Sequence, residues 1–250
     1  AFDKPSAESE VFELCQSGKQ RRKNELFRRA EDITTKPVRL YEAGNGTQNS
    51  NEPKTDTMIK KELLLGDEAI AWGALNAGLS GVYAYPGTPS TEITEFIQMH
   101  PLTRERGIHC NWSANEKTAL EAALGMSFVG KRALVCMKHV GMNVCADAFV
   151  NSAMTGANGG LVVVAADDPS MHSSQNEQDS RFYAKFAMIP CFEPASQQEA
   201  YEMIGEAFDF SEKYQIPVLM RVTTRMAHSR AVVEIGEPRQ LSLIHISEPT

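Results

Sequence analysis

The sequence predicts an α/β fold with a doubly wound, mostly parallel sheet and helices on both faces. Between Met58 and Gln240, stretches typical of strands alternate with stretches typical of helices, and this order gives βαβ units. Two of the strand-like stretches, ALVCM (133–137) and LVVVAA (161–166), are apolar at every position. Such strands need helices on both faces of the sheet, because no alternate side chain can face water.

The first part of this domain contains a helix, a strand and a rigid turn. The helix is predicted to begin near Gly66, and Leu63 and Leu64 are assigned to its apolar face. A short strand at 82–85 follows, and then the turn PGTPSTE (86–92), which leads into a second helix. By itself such a turn needs no function beyond connecting a strand to a helix. It lies, however, at the C-terminal end of a strand, where ligands of open α/β sheets bind.

A carboxylate occupies the same kind of position in the middle of the chain. A strand ending near Trp112 is followed by a helix that opens at Glu116 and by the strand at 133–137. Glu116 therefore also lies at the C-terminal edge of the sheet. Two interpretations are open: an ordinary first-turn glutamate favoured by the helix dipole, or a partly buried carboxyl with a shifted pKa that transfers protons.

The second half of the domain carries two polar loops. Residues 138–143 are predicted to form a loop before a helix at 144–154. A longer polar loop, 167–181, follows the strand at 161–166, and loops of this length are usually functional. The remaining elements are predicted as a strand at 187–192, a helix at 196–214 and a strand at 218–222.

Composition and motif content exclude several classes of protein. The net charge of -7 argues against a nucleic-acid or anionic-membrane partner. No apolar run has the length of a bilayer, and no signal-peptide pattern opens the chain. The 5 cysteines form no Cys-x-x-Cys pair, which predicts reduced thiols in a cytoplasmic protein and no iron–sulfur or structural zinc site here. No glycine-rich nucleotide fingerprint follows a strand, which weakens a nucleotide-binding or electron-transfer interpretation.

The two ends of the chain differ in character from the domain predicted at 58–240. Residues 1–57 start with alanine, are polar or densely charged and offer little to bury. We expect them to be a disordered extension or an upstream translation, with Met58 as the natural start. Residues 241–250, LSLIHISEPT, can be encoded residue for residue by a transposon-end sequencing adapter, so we expect an adapter-derived tail.

Four motifs occur in the order in which one enzyme family carries them: YPGTPSTEI (85–93), ANEKTALEAALGMS (114–127), KHVGMNVCADAF (138–149) and ADDPSMHSSQNEQDSRFYA (166–184). Together they resemble the thiamine-diphosphate-dependent 2-oxoacid:ferredoxin oxidoreductases. Within that family, HSSQNEQDSR and KHVGMN favour the α subunit of the indolepyruvate type over the pyruvate and 2-oxoglutarate types. The resemblance implies the thiamine diphosphate-binding fold, and within it the pyrimidine-binding domain.

The resemblance also implies roles for individual residues. Glu116 matches the family glutamate that hydrogen-bonds the aminopyrimidine nitrogen N1′ and promotes loss of the thiazolium C2 proton, so Glu116 is the expected catalytic residue. Thr88 matches a threonine beside the cofactor and the substrate carboxylate. Gly87 and Asn143 are expected to contact the cofactor, and the substrate-binding residues implied besides Thr88 are Lys138, His139, His172 and Arg181. A purely structural role stays open for Asn143, His172 and Arg181.

The implied activity is the oxidative decarboxylation of indolepyruvate, or other aryl pyruvates, to the acyl-CoA, with electrons passed to ferredoxin. The implied partners are a β subunit in a homo- or hetero-oligomer, ferredoxin, coenzyme A and the 2-oxoacid, and no metal ligand is expected here. The family's Gly-Asp-Gly…Asn signature for magnesium diphosphate and its cysteine-rich segment for iron–sulfur clusters do not occur in the sequence. We therefore expect this chain to be inactive alone. The alternatives are the same reaction on pyruvate, 2-oxoglutarate or a branched-chain 2-oxoacid, and a non-catalytic α/β interaction module.

Overall fold

The computed structural model describes residues 60–239, which form two sheets and the helices around them. In this range the strands are β1 (Lys60–Leu65), β2 (Gly81–Ala84), β3 (His109–Trp112), β4 (Ala133–Lys138), β5 (Leu161–Asp167), β6 (Cys191–Phe192), β7 (Val218–Thr223) and β8 (Arg230–Ile235). The helices are α1 (Gly66–Asn76), α2 (Thr91–Met99), α3 (Pro101–Glu105), α4 (Glu116–Phe128), α5 (His139–Thr155), α6 (Arg181–Ala187), α7 (Gln197–Tyr214) and α8 (Thr224–His228). The segments predicted as an extension (1–57) and a tail (241–250) lie outside the described residues.

The main sheet has six strands in the order β3-β2-β4-β5-β7-β6, and every neighbouring pair is parallel. Helices α1, α2, α7 and α8 supply one hydrophobic core, and α4, α5 and α6 supply a second. Alternate residues of β4 belong to different cores: Cys136 joins the first, and Met137 the second. The doubly wound α/β prediction is therefore confirmed, since both faces of the sheet are covered.

A second, two-stranded sheet was not predicted. Strand β1 pairs antiparallel with β8, with Leu64 opposite Ala231. Leu63 and Leu64 therefore lie in a strand, and their assignment to the helix is wrong. Leu64 is 5% exposed and Leu63 is 58% exposed, which is the alternation of a half-covered strand. The helix starts only at Gly66, where the Glu68 carboxylate accepts a hydrogen bond of 2.8 Å from the Leu65 amide.

Two other assignments need correction. The predicted loop at 138–143 is the end of β4 and the first turn and a half of α5, because Lys138 is extended and the helix begins at the next residue. Most of the predicted strand at 187–192 is not strand: α6 ends at Ala187, Met188 has a left-handed backbone with φ 56°, and residues 189–190 are irregular. Only Cys191–Phe192 is strand. The long loop, by contrast, has no helix or strand between residues 168 and 180, as predicted.

No helix between residues 60 and 239 combines the length and apolar character that crossing a membrane requires.

Candidate functional site

The C-terminal ends of three adjacent strands define the candidate site. Ala84 of β2 pairs with Trp112 of β3 on one side and with Cys136 of β4 on the other. All three strands are parallel, so the segments that leave them emerge at the same edge of the sheet. These segments are the turn with Thr88, the start of α4 and the start of α5.

Glu116 is the first residue of α4. The Asn115 side chain caps this helix by accepting a 2.9 Å hydrogen bond from the Thr118 amide. The cap fixes where the helix starts, and the dipole at this end favours a carboxylate. The Glu116 side chain is 7% exposed. Among residues 60–239, no group hydrogen-bonds to its carboxylate, so its oxygens are available to another partner.

The backbone of α5 lies directly against this carboxyl group. A Cβ atom at Gly141 would stand 2.5 Å from Glu116 Cγ and 2.8 Å from Oε1, distances that real side chains do not adopt. Gly141 therefore has to lack a side chain if Glu116 is to keep its position. One turn further along α5, burial and the charge of Glu116 raise the pKa of the Cys145 thiol to about 12. This thiol therefore stays protonated beside the carboxylate.

The turn before α2 is held against β4 and against the long loop. A Cβ atom at Gly87 would be 3.1 Å from Lys138 Cβ, so the turn passes close to the end of β4. The Gly87 amide donates a 2.9 Å hydrogen bond to Thr91 Oγ1. The carbonyl of the exposed Thr88 accepts a 3.4 Å hydrogen bond from Ser173 Oγ. Thr88 and Gly87 thus lie at the predicted edge, next to Lys138.

The predicted residues on β4 and α5 contact the loop at 168–180. Lys138 Nζ donates a 2.7 Å hydrogen bond to the Ser173 carbonyl. His139 is fully buried, with Nε2 3.3 Å from Asn176 Oδ1. Its Nδ1 has no hydrogen-bond partner among the described residues. Asn143 accepts a short hydrogen bond from the Tyr183 hydroxyl. Their expected roles toward cofactor and substrate stay predictions.

His172 and Arg181 lie elsewhere on the long loop and beside it. The His172 side chain is exposed, and only its amide is tied down, by a 3.2 Å hydrogen bond to Asp168. Arg181 forms ion pairs with Asp179 at 2.6 Å and with Glu193 at 3.6 Å. Within residues 60–239 neither has a hydrogen bond or an ion pair with Glu116. The structure thus brings Glu116, Thr88, Gly87, Lys138 and His139 to one edge, and does not join His172 or Arg181 to them.

Comparison with known proteins shows which family this chain belongs to. A family model described as "Pyruvate flavodoxin/ferredoxin oxidoreductase, thiamine diP-bdg" matches residues 72–249. The chain belongs to this family.

Curated relatives in the indolepyruvate group are similar over most of this chain. Indolepyruvate oxidoreductase subunit IorA of Pyrococcus horikoshii is 52% identical over 71% of this chain and 27% of its own length. The Archaeoglobus fulgidus subunit IorA is 49% identical over 75% of this chain and 30% of its own length. 2-Oxoglutarate synthase subunit KorA of Methanothermobacter thermautotrophicus is 29% identical over 72% of this chain and 49% of its own length. The resemblance to the indolepyruvate type is confirmed, and the chain spans 27–30% of the two IorA relatives.

A solved structure supports the fold of this family member. It is 2-oxoglutarate:ferredoxin oxidoreductase from Magnetococcus marinus, with 2-oxoglutarate, coenzyme A and succinyl-CoA bound. The TM-score is 0.63 at 22% identity, over 71% of this chain and 32% of that one. This likeness concerns the fold alone.

Two residues that organise the edge in this family member were not singled out in the sequence. Asp167 accepts hydrogen bonds from the Ser180 amide at 3.0 Å and from Arg221 Nε at 2.6 Å. Asp168 accepts one of 2.6 Å from Ser174 Oγ. Asp168 therefore holds the middle of the long loop, and Asp167 holds its C-terminal end. The signal was a pair of adjacent acids directly after a fully apolar strand.

The carboxyl of Asp168 is tuned by this arrangement. Burial works against its ionisation, but hydrogen bonds from the Ser174 hydroxyl, the Ser173 amide and the Thr224 hydroxyl outweigh burial and hold its pKa well below the usual range. Asp168 is thus a buried carboxylate that stays charged because both of its oxygens accept hydrogen bonds.

Proposed function

We propose that this chain is the part of an indolepyruvate:ferredoxin oxidoreductase α subunit that holds the aminopyrimidine ring of thiamine diphosphate, with Glu116 as the catalytic residue. One observation carries the proposal: a buried carboxylate at the C-terminal edge of the sheet, against a glycine, with no hydrogen-bond partner among residues 60–239. A buried carboxylate of this kind normally finds a donor. A protonated ring nitrogen is a donor of the right kind.

The residues at the edge fit such a cofactor. When bound, thiamine diphosphate supplies the carbon that adds to the 2-oxo group and retains the electrons when carbon dioxide leaves. Glu116 would accept the hydrogen bond from ring nitrogen N1′ and keep a proton on that atom. Glycines at 87 and 141 keep side chains out of the space beside the edge. The turn with Thr88 and the start of α5 would border the ring.

The substrate would be met by cationic and hydroxyl groups from the same edge. Lys138 and His139 offer charge or hydrogen bonds to a 2-oxoacid carboxylate, and Thr88 offers a hydroxyl. Lys138 and His139 contact Ser173 and Asn176, so binding through them requires those loop contacts to exchange for substrate contacts. His172 and Arg181 on this loop extend the same proposal.

Aryl pyruvates are the proposed substrate class because this chain is more similar in sequence to the indolepyruvate relatives than to the 2-oxoglutarate relative. The IorA relatives are 49–52% identical to this chain, whereas the KorA relative is 29% identical. The β subunit, ferredoxin and coenzyme A are the proposed partners. Magnesium diphosphate and the iron–sulfur clusters are assigned to parts of the whole enzyme other than this chain, and a cytoplasmic location is proposed with them.

The test is made on the complete α subunit, assembled anaerobically with its β subunit. Coenzyme A-dependent reduction of ferredoxin by indolepyruvate is compared for the native enzyme and for Glu116→Gln. We expect turnover to fall by roughly 10²–10⁴-fold, the range for losing a general acid or base. Glu121→Gln, on the exposed side of the same helix, is the control and should keep its activity.

Near-native turnover of Glu116→Gln would contradict the catalytic assignment. A native enzyme that prefers 2-oxoglutarate or pyruvate over indolepyruvate would contradict the substrate assignment alone. The two parts of the proposal are thus tested separately.

A further inference from the structure

Three side chains of metal-ligating type converge on the face of the sheet that carries α1 and α2. They are Asp67 in the first turn of α1, Glu92 in the first turn of α2 and His228 at the end of α8. One ligand atom from each lies within 4.8 Å of the others. Glu92 Oε1 is 3.5 Å from His228 Nε2. This spacing is close enough for one ion to contact all three.

Asp67 provides a second, independent indication of a ligand. Its side chain is 0% exposed, and neither carboxylate oxygen has a hydrogen-bond partner among the described residues. Oε2 of Glu92 is also buried without a partner there. Buried carboxylates are normally paired with donors or with cations. Asp67 has no partner for either oxygen, and Glu92 beside it has one oxygen without a partner, which together indicate a missing positive group.

Burial raises the pKa of Asp67 well above the ordinary value, and the negative charges of Glu92 and Glu68 raise it further. An ionised Asp67 therefore needs a compensating partner. Two partners can relieve it, a proton shared with Glu92 or a metal cation.

The backbone around the cluster is firmly fixed. The Gly66 amide donates a 3.2 Å hydrogen bond to the Ser229 carbonyl. A Cβ atom at Gly66 would be 2.2 Å from the Met226 carbonyl oxygen, so α1 begins in direct contact with α8. Gln197 Nε2 donates hydrogen bonds of 3.0 and 2.7 Å to the Ser229 carbonyl and hydroxyl. Ligands on such fixed elements are positioned in advance of binding.

An ion could enter from solvent. The side chains of Glu92 and His228 are each 35% exposed, whereas Asp67 is enclosed behind them. An ion would therefore contact two partly solvated ligands and one buried ligand. Its remaining coordination positions would be open to water.

We propose that Asp67, Glu92 and His228 bind a divalent first-row transition-metal ion, represented by Mn²⁺ or Zn²⁺. Two carboxylates balance the charge of a divalent ion. The imidazole selects against Mg²⁺ and Ca²⁺, which prefer oxygen ligands alone. This site goes beyond the proposed function and does not depend on it.

The site lies on the opposite face of the sheet from Glu116. Asp67 is close enough to Cys136 to affect its thiol, and Cys136 belongs to the core that α1 and α2 cover. Glu116 affects Cys145, which belongs to the other core. The ion would join the starts of α1 and α2 to the end of α8. It would thereby fix α2, which begins directly after the turn with Thr88.

The experiment uses the full 250-residue chain, treated with a chelator that is then removed. Mn²⁺ is titrated in, and free Mn²⁺ is followed by its electron paramagnetic resonance signal. Zn²⁺ binding is measured by calorimetry, with Mg²⁺ as the comparison. We expect one Mn²⁺ or Zn²⁺ per chain and no comparable Mg²⁺ binding. Circular dichroism confirms that each sample is folded.

The mutational test uses the two partly exposed residues of the proposed site. Glu92→Gln and His228→Gln should each weaken Mn²⁺ binding by at least ~10-fold. Glu95→Gln, an exposed position on the same helix as Glu92, is the matched control and should bind as the native chain does. Added Mn²⁺ should raise Tm in the native chain and in Glu95→Gln, but not in His228→Gln.

Two results would overturn the proposal. One is a folded native chain that binds neither ion, which would leave a shared proton as the partner of Asp67. The other is binding that Glu92→Gln and His228→Gln leave unchanged, which would place the ion elsewhere.

Discussion

Glu116 and Asp67 are both acidic residues in the first turn of a helix, yet their surroundings differ. Glu116 is 7% exposed, at the edge where three strands end. Asp67 is fully enclosed, and burial together with the charges of Glu92 and Glu68 raises its pKa. One carboxylate therefore keeps contact with an open edge, whereas the other needs a cation or a proton. Helix position alone does not distinguish the two cases.

Asp168 supplies a third case that explains the difference. Its side chain is also 0% exposed, but hydrogen bonds hold its pKa low, in the opposite direction. The protonation of a solvent-shielded acid thus depends on the donors around it as well as on its burial.

The largest effect is expected at the residue that fixes Glu116. Gly141→Ala places a Cβ atom 2.5 Å from Glu116 Cγ and must displace the carboxyl. We expect kcat of the assembled enzyme to fall on the order of 10²-fold, because displacing a catalytic group by about 1 Å has this effect. The measurement is steady-state kinetics with indolepyruvate, together with thermal unfolding.

Gly125→Ala is the matched control, because a Cβ atom at this glycine of α4 meets nothing within 4 Å. It should keep native kcat and gain slightly in stability from alanine's helix propensity. Native kcat in Gly141→Ala would show that α5 does not hold Glu116 in place.

Asp168→Asn tests the acid whose oxygens accept hydrogen bonds. The change removes a charged acceptor that binds donor groups of four residues in the loop and α8. We therefore expect a loss of about 1–3 kcal/mol in the free energy of unfolding at pH 7. The depressed pKa means that the ionised form stabilises the fold above the unfolded pKa of about 4. This contribution is lost as pH falls through the folded pKa. Denaturant unfolding of native and variant chains between pH 3 and 7 measures it.

The difference in the free energy of unfolding between the native and Asp168→Asn chains should therefore decrease as the pH falls. A difference that stays constant down to pH 3 would mean that the ionised form of Asp168 does not stabilise the loop.

Asp67→Asn tests the acid whose oxygens have no hydrogen-bond partner among the described residues. Its effect on stability should depend on pH in the opposite direction. The raised pKa means that the fold is favoured with Asp67 protonated, below the unfolded pKa, and that this stability is lost as pH rises through the folded pKa. In chelator, the native chain should lose more Tm than Asp67→Asn between pH 5 and 8. The titratable groups facing this carboxyl are Glu92, Glu68, His228 and Cys136.

Adding Mn²⁺ at pH 8 should restore the Tm of the native chain and leave Asp67→Asn unaffected. Equal pH slopes for the two chains in chelator would show that Asp67 is not destabilised by its surroundings.

The smallest effect is expected at His172. Its exposed side chain supports no other group, so His172→Ala should leave Tm unchanged. If it hydrogen-bonds the substrate, KM for indolepyruvate should rise about two- to tenfold, which corresponds to one hydrogen bond. An unchanged KM would remove His172 from the substrate site.

The sequence could predict the α/β order because apolar strands and small-residue helices are local signals. Glu116 was placed at the correct edge for the same reason, since it directly follows a strand. The start of α5 was missed because Lys138, its N-cap residue, offers no capping side chain and KHVGMN is polar. The helix forms there because β4 delivers the chain to that point.

Other features depend on partners far apart in the chain. The pairing of Leu64 with Ala231 brings together segments that no local pattern connects. In the sequence Asp67 has the position of an ordinary first-turn acid, and its enclosure arises only when α2 and α8 pack beside α1. The roles of Asp167 and Asp168 likewise needed Ser180 and Ser174 to fold back on them.

The direct passage from β4 into α5 has a consequence for how this region tolerates change in length. Each residue of a helix advances the chain by about 100° around the axis. One residue inserted after Lys138 would turn the whole of α5 by that angle and present a different side to α4. Gly141 would no longer face Glu116, so a single inserted residue at this junction would disrupt both the core and the edge.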